Sequence, residues 1–262
     1  MEGNEMYPVD ETDGNQSGHG SSPLKQAIGK ALFFVAQSDI SRYFIGFSFE
    51  HFGSFLPVEK LLDNNEVIAF KHPVQFWEKH NLIVPKKAIR SLMHIDLRDR
   101  SYQETMIAIF QGAQMIINTE EFTSYALLVN GGDYQDVPQM HFHLAMGNSR
   151  EGIPIVSTNY KPQKGEIIQK DSKITVYNNA QPQHAVDMLL VDNNSSIGSF
   201  PNIDFDLARN QEDLIDVLST AQNLVRDLNL RAFTLSIDST NDPNESAMQF
   251  RLVSGDRLGK SS

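Results

Sequence analysis

The chain has 262 residues, 40% hydrophobic and 21% charged, with a formal net charge of −11 at pH 7. That length serves one large domain or two small ones, and that charge draws no polyanion non-specifically, which excludes a general nucleic-acid coat. With no cysteine, disulfides, thiolate metal sites and cysteine nucleophiles are excluded as well.

Residues 1–22 hold five acids, no Lys or Arg, and many Gly, Ser and Asn. They cannot bury a core, so a disordered acidic tail is predicted there. Pro23 then opens a predicted helix through LKQAIGKALFFVAQ, with Leu24, Ile28, Ala31, Leu32 and Val35 on one stripe. Its apolar run, Ala31–Ala36, falls far short of the roughly 18 residues of a membrane span. The run follows acids rather than bases, unlike a signal peptide, so a soluble cytoplasmic protein is expected. From Ser54 to Lys87, VEKLL, VIAF and HNLIVP read as three strands, with DNNE as a turn between the first two. Residues 102–118 form an amphipathic helix that turns Met106, Ile109, Phe110, Ala113 and Ile117 inward. YALLVN and QMHFHLAMG follow as two more strands.

The second half echoes the first. A shift of 108 residues lays QETMIAIFQGAQMI on QEDLIDVLSTAQNLV, YALLVN on FTLSID, and QMHFHLAMG on AMQFRLVSG. The last pair shares Met140/Met248, Phe142/Phe250, Leu144/Leu252 and Gly147/Gly255. VIAFKHP resembles ITVYNNA with the register moved by one. Three ordered matches at one spacing predict an internal duplication of one α/β unit. The apolar positions recur, but His141 and His143 become Gln249 and Arg251. Chemistry is therefore expected in the first half and scaffold duty in the second.

On its own, a His-x-His on a strand is compatible with packing, a solvated face, a phosphate-directed pair or, with His80, a histidine metal site. The last is weakened because no acid lies in the same strand. Lys86 and Lys87 read as a solvated turn or phosphate contacts, and Trp77 with Phe76 as core or the wall of a base pocket. Asp133 and Asp136 read as turn caps or as a screen against highly charged ligands. His19, His51, His94 and His184 show no partner pattern. SGDRLGKSS has the letters of a phosphate loop without its spacing and reads as a frayed tail.

VIAFKHPVQFWEKHNLIVPKKAIRSL (Val67–Leu92) and LLVNGGDYQDVPQMHFHLAMG (Leu127–Gly147) together resemble the histidine triad (HIT) superfamily. The resemblance covers roughly residues 50–148, with a degenerate echo over 165–256. It implies an α+β fold of two HIT-like halves, each a mainly antiparallel sheet of about five strands with a long helix. The halves are expected to pair as an intramolecular pseudo-dimer, a monomer that leaves a homodimer open. The implied domains are a HIT-like unit over 23–148, a linker over 149–165, a degenerate unit over 166–256 and a tail over 257–262.

By the same resemblance, His141 is the nucleophile that forms a covalent nucleotidyl-histidine, with His143, Gln139 and His80 completing the catalytic group. Asn130, Gln135, Phe70 and His72 are the implied substrate-binding positions. Three departures stand out. Gln139 replaces the first triad histidine, Lys71 and His72 stand where an acid that binds ribose hydroxyls is usual, and Ala88 replaces a histidine after the lysines. The galactose-1-phosphate uridylyltransferase branch also exchanges a triad histidine for Gln, but at the other end. The implied activity is a nucleotide-phosphate hydrolase or nucleotidyl transferase; the alternative is a non-catalytic nucleotide-binding or sensor protein. The expected partner is a small nucleotide or nucleoside phosphate, with no cofactor, metal, bulk nucleic acid or membrane.

Overall fold

The computed structural model describes residues 59–72, 75–147, 162–193, 200–240 and 249–257. The expected acidic tail, the helix from Pro23, His51 and most of the expected linker lie outside the described residues. Strand β1 (Lys60–Asp63) turns into β2 (Val67–Lys71) through Asn64, whose Oδ1 accepts from the Glu66 and Val67 amides. Strand β3 (Lys79–Pro85) follows, and then helix α1 (Arg100–Thr119). The helix starts two residues before the expected Tyr102, because the Asp99 side chain accepts from the Ser101 amide and caps it. Strands β4 (Ser124–Gly132) and β5 (Phe142–Met146) complete the first half.

The second half runs β6 (Lys164–Lys170), β7 (Ile174–Asn179), β8 (His184–Asp192), helix α2 (Ala208–Asp227), β9 (Ala232–Thr240) and β10 (Gln249–Arg257). Three boundaries differ from the sequence expectation. Lys164 and Gly165, expected in the linker, open β6 and pair with β7. Ser254–Arg257, expected in a frayed tail, continue β10 beside β8. Gln139–His141 precede β5 rather than starting it, because the Met140 amide is drawn to the Ile89 carbonyl at 2.6 Å.

The fold is α+β: among the described residues, ten strands join one antiparallel sheet in the order β1-β2-β3-β5-β4-β9-β10-β8-β7-β6. Outward from the β4–β9 junction, each set of five follows the same order. At the junction Leu128 lies opposite Ser236, with Ala126 opposite Asp238 and Asn130 opposite Thr234. Leu128 and Ser236 are 108 residues apart, the same offset as the sequence matches. Gly131 allows this approach, since a Cβ there would sit 2.2 Å from the Phe233 ring. Among the described residues, no helix is long and apolar enough to cross a membrane.

Strand alternation sorts side chains between two faces. Val67, Ala69, Ile83, Leu127, Val129, Phe142 and Leu144 join α1 and α2 in the main core. The intervening positions turn to the other face, where Ile68, Phe70 and Val84 form one apolar patch and Trp77, Ala126, Leu128 and Ala145 a second. His80 and His143 belong to this face, opposite α1 and α2. The pattern that buries Phe142 and Leu144 thus turns the histidine between them to the opposite face.

Candidate functional site

Among the described residues, four histidines meet on the face opposite α1 and α2. His80 comes from β3 and His143 from β5, in neighbouring strands where His80 lies opposite Ala145 and His143 opposite Leu82. His80 Nε2 and His143 Nδ1 are 2.9 Å apart. His72, just beyond β2, stacks on His80 with ring centroids 4.2 Å apart and planes at 9°. The His141 ring lies 4.9 Å from that of His143, nearly edge-on. Gln75 Nε2 fixes the loop between His72 and His80 by donating to both of their carbonyls, at 2.6 and 3.1 Å. No sequence pattern pointed to Gln75.

Hydrogen-bond direction orders the ring protons. A backbone carbonyl only accepts, so His141 Nδ1 carries its proton to Gln139 O at 2.8 Å and leaves Nε2 as a lone pair. The Phe76 amide only donates, and it makes a long 3.4 Å contact to His80 Nδ1. The His80 proton is then on Nε2 and is given to His143 Nδ1, which leaves His143 with an Nε2–H donor. The pair therefore offers a nucleophilic nitrogen on His141 and a hydrogen-bond donor on His143.

Burial lowers the pKa of His141 from 6.5, although the Gln139 carbonyl and the charge of Asp136 favour its cation. Burial also pushes His143 well down, and the like charges of His141, His80 and His72 add to the effect. Ligand atoms of His72, His80 and His143 lie within 4.8 Å of one another, close enough for a metal by separation alone. In this arrangement the gap between His80 and His143 holds a hydrogen bond, whose proton a metal would have to displace.

The other candidate residues hold the frame. Gln139 is 2% exposed. Its Nε2 donates to the carbonyls of Pro85 and Lys87, both at 3.1 Å, and its Oε1 accepts from the Ile89 amide at 3.3 Å. Both amide protons are thus committed to the end of β3 and the segment that follows it. Removing the side chain orphans three backbone groups, so Gln139→Ala is expected to cost about 2 kcal/mol or more, read by urea denaturation; an unchanged midpoint would contradict this clamp.

Gln135 Nε2 donates to the carbonyls of Arg90 and Val137. Asn130 Oδ1 accepts from Thr234 Oγ1 across the β4–β9 junction. Phe70 is buried in its apolar patch. Of the eight candidate residues, the ring contacts and hydrogen bonds thus bring together His72, His80, His141 and His143, while the side chains of Gln135 and Gln139 bind nearby backbone.

Trp77 is buried and edge-on to His80 at 4.8 Å, packed with Ala126 and Leu128, so it is core. The nearby lysines are engaged elsewhere: Lys71 with Glu59, Lys79 with the Glu120 carbonyl, Lys86 with Asp63, and Lys87 with Ser101 and the Tyr102 ring. Outside the site, His94 Nδ1 meets Ser91 Oγ and His184 Nδ1 meets the Gly255 carbonyl.

Two features that involve the second half carried no signal strong enough to be read from sequence. Tyr134 Oη donates to the Gly255 carbonyl at 3.0 Å and ties the turn before Gln135 to β10. Arg251 forms a two-pronged ion pair with Asp187, both side chains fully buried. Arg251 sits at the offset position of His143, which was the one available hint.

The family model of the HIT domain matches residues 56–149. No curated protein matches the chain. A GALT-like protein from Arabidopsis thaliana is similar in structure at 11% identity and TM-score 0.56, covering 82% of this chain and 83% of its own. An ADP-glucose phosphorylase from Arabidopsis thaliana, solved with ADP-glucose bound, is similar at 10% identity and TM-score 0.54, covering 79% of each chain. A HIT family hydrolase from Clostridium thermocellum is 25% identical over 42% of this chain and 94% of its own, at TM-score 0.35. The first two share the α+β fold along most of the chain.

Proposed function

We propose that the chain, whose residues 56–149 match the family model of the HIT domain, is a nucleotide-phosphate hydrolase or nucleotidyl transferase with His141 as covalent nucleophile. The observation that carries this reading is the 2.8 Å bond from His141 Nδ1 to the Gln139 carbonyl, which frees Nε2 for attack. Nε2 forms a bond to phosphorus as the bond from phosphorus to the leaving group breaks. The leaving group departs with that electron pair and takes a proton from solvent. His141 becomes a cationic nucleotidyl-imidazole, and the same carbonyl and the charge of Asp136 favour that cation. His143 Nε2–H donates to a phosphoryl oxygen. Water or an acceptor phosphate then attacks phosphorus, gives up the balancing proton and releases neutral His141.

His80 acts through His143 by holding its tautomer, and Gln139 acts through its backbone and the segment it clamps. The substrate is a small nucleotide or nucleoside phosphate. We read the second half as a degenerate copy of the first, paired with it inside one chain.

Attack needs neutral His141, and its pKa is lowered from 6.5. The acid limb of turnover is therefore expected to be centred below pH 6.5, as read in the pH dependence of kcat/KM. An acid limb centred above 6.5 would contradict the assignment. The covalent step is tested by quenching the protein during turnover of nucleoside phosphoramidates, dinucleoside polyphosphates and nucleotide sugars, then mapping adducts by mass spectrometry. A nucleotidyl adduct on His141 is expected; an adduct confined to another residue sinks the proposal.

A second reading is favoured by Gln139, whose amide carries no transferable proton where the resemblance expects a histidine. In that reading the protein binds nucleotides without turnover. Calorimetric binding with no product from any of the three substrate classes would establish it.

A further inference from the structure

The second half retains the frame of the histidine cluster with different chemistry in it. Asn179, Gln183, Asp187 and Arg251 stand at the 108-residue offset, or one residue less, from His72, Phe76, His80 and His143. Strand register confirms the equivalence. Asp187 lies opposite Val253 as His80 lies opposite Ala145, and Arg251 opposite Leu189 as His143 opposite Leu82. The bonds correspond too. The Phe76 amide meets His80 Nδ1, and the Gln183 amide donates to Asp187 Oδ2 at 2.8 Å. His80 bonds His143 at 2.9 Å, whereas Arg251 Nε and Nη2 donate to the two Asp187 oxygens at 2.7 and 2.6 Å. The Asn179 side chain also bonds Asp187.

Donors from one backbone amide, one side-chain amide and a guanidinium thus converge on a single small oxyanion, and that oxyanion is part of the chain. We infer that the counterpart site in the second half is an anion cradle closed by its own ligand, the Asp187 carboxylate, so that each chain offers one phosphate site and not two. The count of sites rests on reading the first cluster as a phosphate site; the closed cradle does not. Two features of the pair support closure over simple packing. The carboxylate is gripped through both oxygens, the geometry in which a guanidinium binds carboxylate or phosphate. Both side chains are fully buried, so Arg251 has no route to an external anion while Asp187 is present.

The cradle is tested with Asp187→Ala and formate, the smallest carboxylate. The variant is expected to melt below the parent. Sodium formate should raise its midpoint by roughly 4 °C or more over equal sodium chloride, as a ligand specific to the folded state does. The parent should show no difference between the salts. Equal responses of the variant to formate and chloride overturn the closed cradle, as does a variant as stable as the parent. If Asp187→Ala does not fold, refolding it in formate and in chloride decides the matter: recovery in formate alone supports the cradle, and any other pattern overturns it. Titration of the parent with adenosine monophosphate gives the count, with one site per chain expected and two overturning it. Absence of nucleotide binding would count against the proposed function, and the formate comparison would still decide the cradle.

Discussion

Replacing His141 with alanine is expected to slow turnover of every active substrate by ~1,000-fold or more, the scale of losing a covalent nucleophile. The fold should survive the change. His141 is half-buried on the face opposite α1 and α2, and its Nδ1 hydrogen bond goes to a carbonyl beside it in sequence. Thermal unfolding of the variant should therefore stay within a few degrees of the parent, and the loss should appear in kcat. The cause lies in the lone pair at Nε2. A glutamine at 141 keeps a polar side chain but offers no nucleophilic nitrogen, so His141→Gln should be as inactive as His141→Ala. Steady-state rates for the three substrate classes decide it. If either variant turns over as fast as the parent, the nucleophile lies elsewhere.

His143→Ala should behave differently. It removes a donor to the phosphoryl oxygens and also releases His80 from its partner, so a smaller loss in kcat is expected, with the adduct on His141 still detectable. This contrast separates a group that forms a bond from one that stabilises charge.

Arg251→Met is expected to destabilise the protein by about 3–5 kcal/mol, because it strands a fully buried carboxylate. In a chain of this size that corresponds to a fall in Tm of roughly 10 °C. Replacing both partners with apolar residues, as in Arg251→Met with Asp187→Leu, should recover most of the loss, since neither charge then needs a counter-ion.

The pH dependence gives an independent check. Burial opposes ionisation of Asp187, but the Arg251 bonds, the Gln183 amide and the guanidinium charge outweigh it and hold the carboxyl below 3.8. The group's folded pKa is thus depressed. Its stabilisation is complete above the unfolded value of about 3.9 and is lost as pH falls through the folded value. In Arg251→Met the guanidinium bonds and charge are gone while burial and the Gln183 and Asn179 bonds remain, so Asp187 takes up a proton at higher pH than in the parent. The stability gap between parent and variant should be widest near neutrality and should narrow as pH is lowered towards 4. A gap that is constant across that range would show that the pair contributes packing and no electrostatic term.

Much of this protein is local, and the local part was readable in the residue order. The stripe Met106, Ile109, Phe110, Ala113 and Ile117 specifies a helix because side chains three or four apart share a face. Phe142 and Leu144 around His143 specify a strand with a buried and an open side because successive side chains alternate. The recurrence of both patterns 108 residues later specified two sets of the same elements, and the spacing of His80, His141 and His143 marked the side on which the histidines gather. Local pattern was weaker at the edges. It placed Ser254–Arg257 in a tail, although β8 was there to pair with them.

What only the tertiary structure decided are contacts between residues far apart in the chain, which follow from strand order and register and leave no local trace. Such contacts join His80 to His143, 63 residues on, and seat the side chain of Gln139 in the backbone at the end of β3. They bring Arg251 onto Asp187 across 64 residues, and His72 onto His80 by a loop closure that no periodicity encodes. The residue types of a site can be read along the chain, because chemistry belongs to single side chains. Which nitrogen is free, which charge is paired and which copy is open depend on neighbours that only the folded sheet supplies.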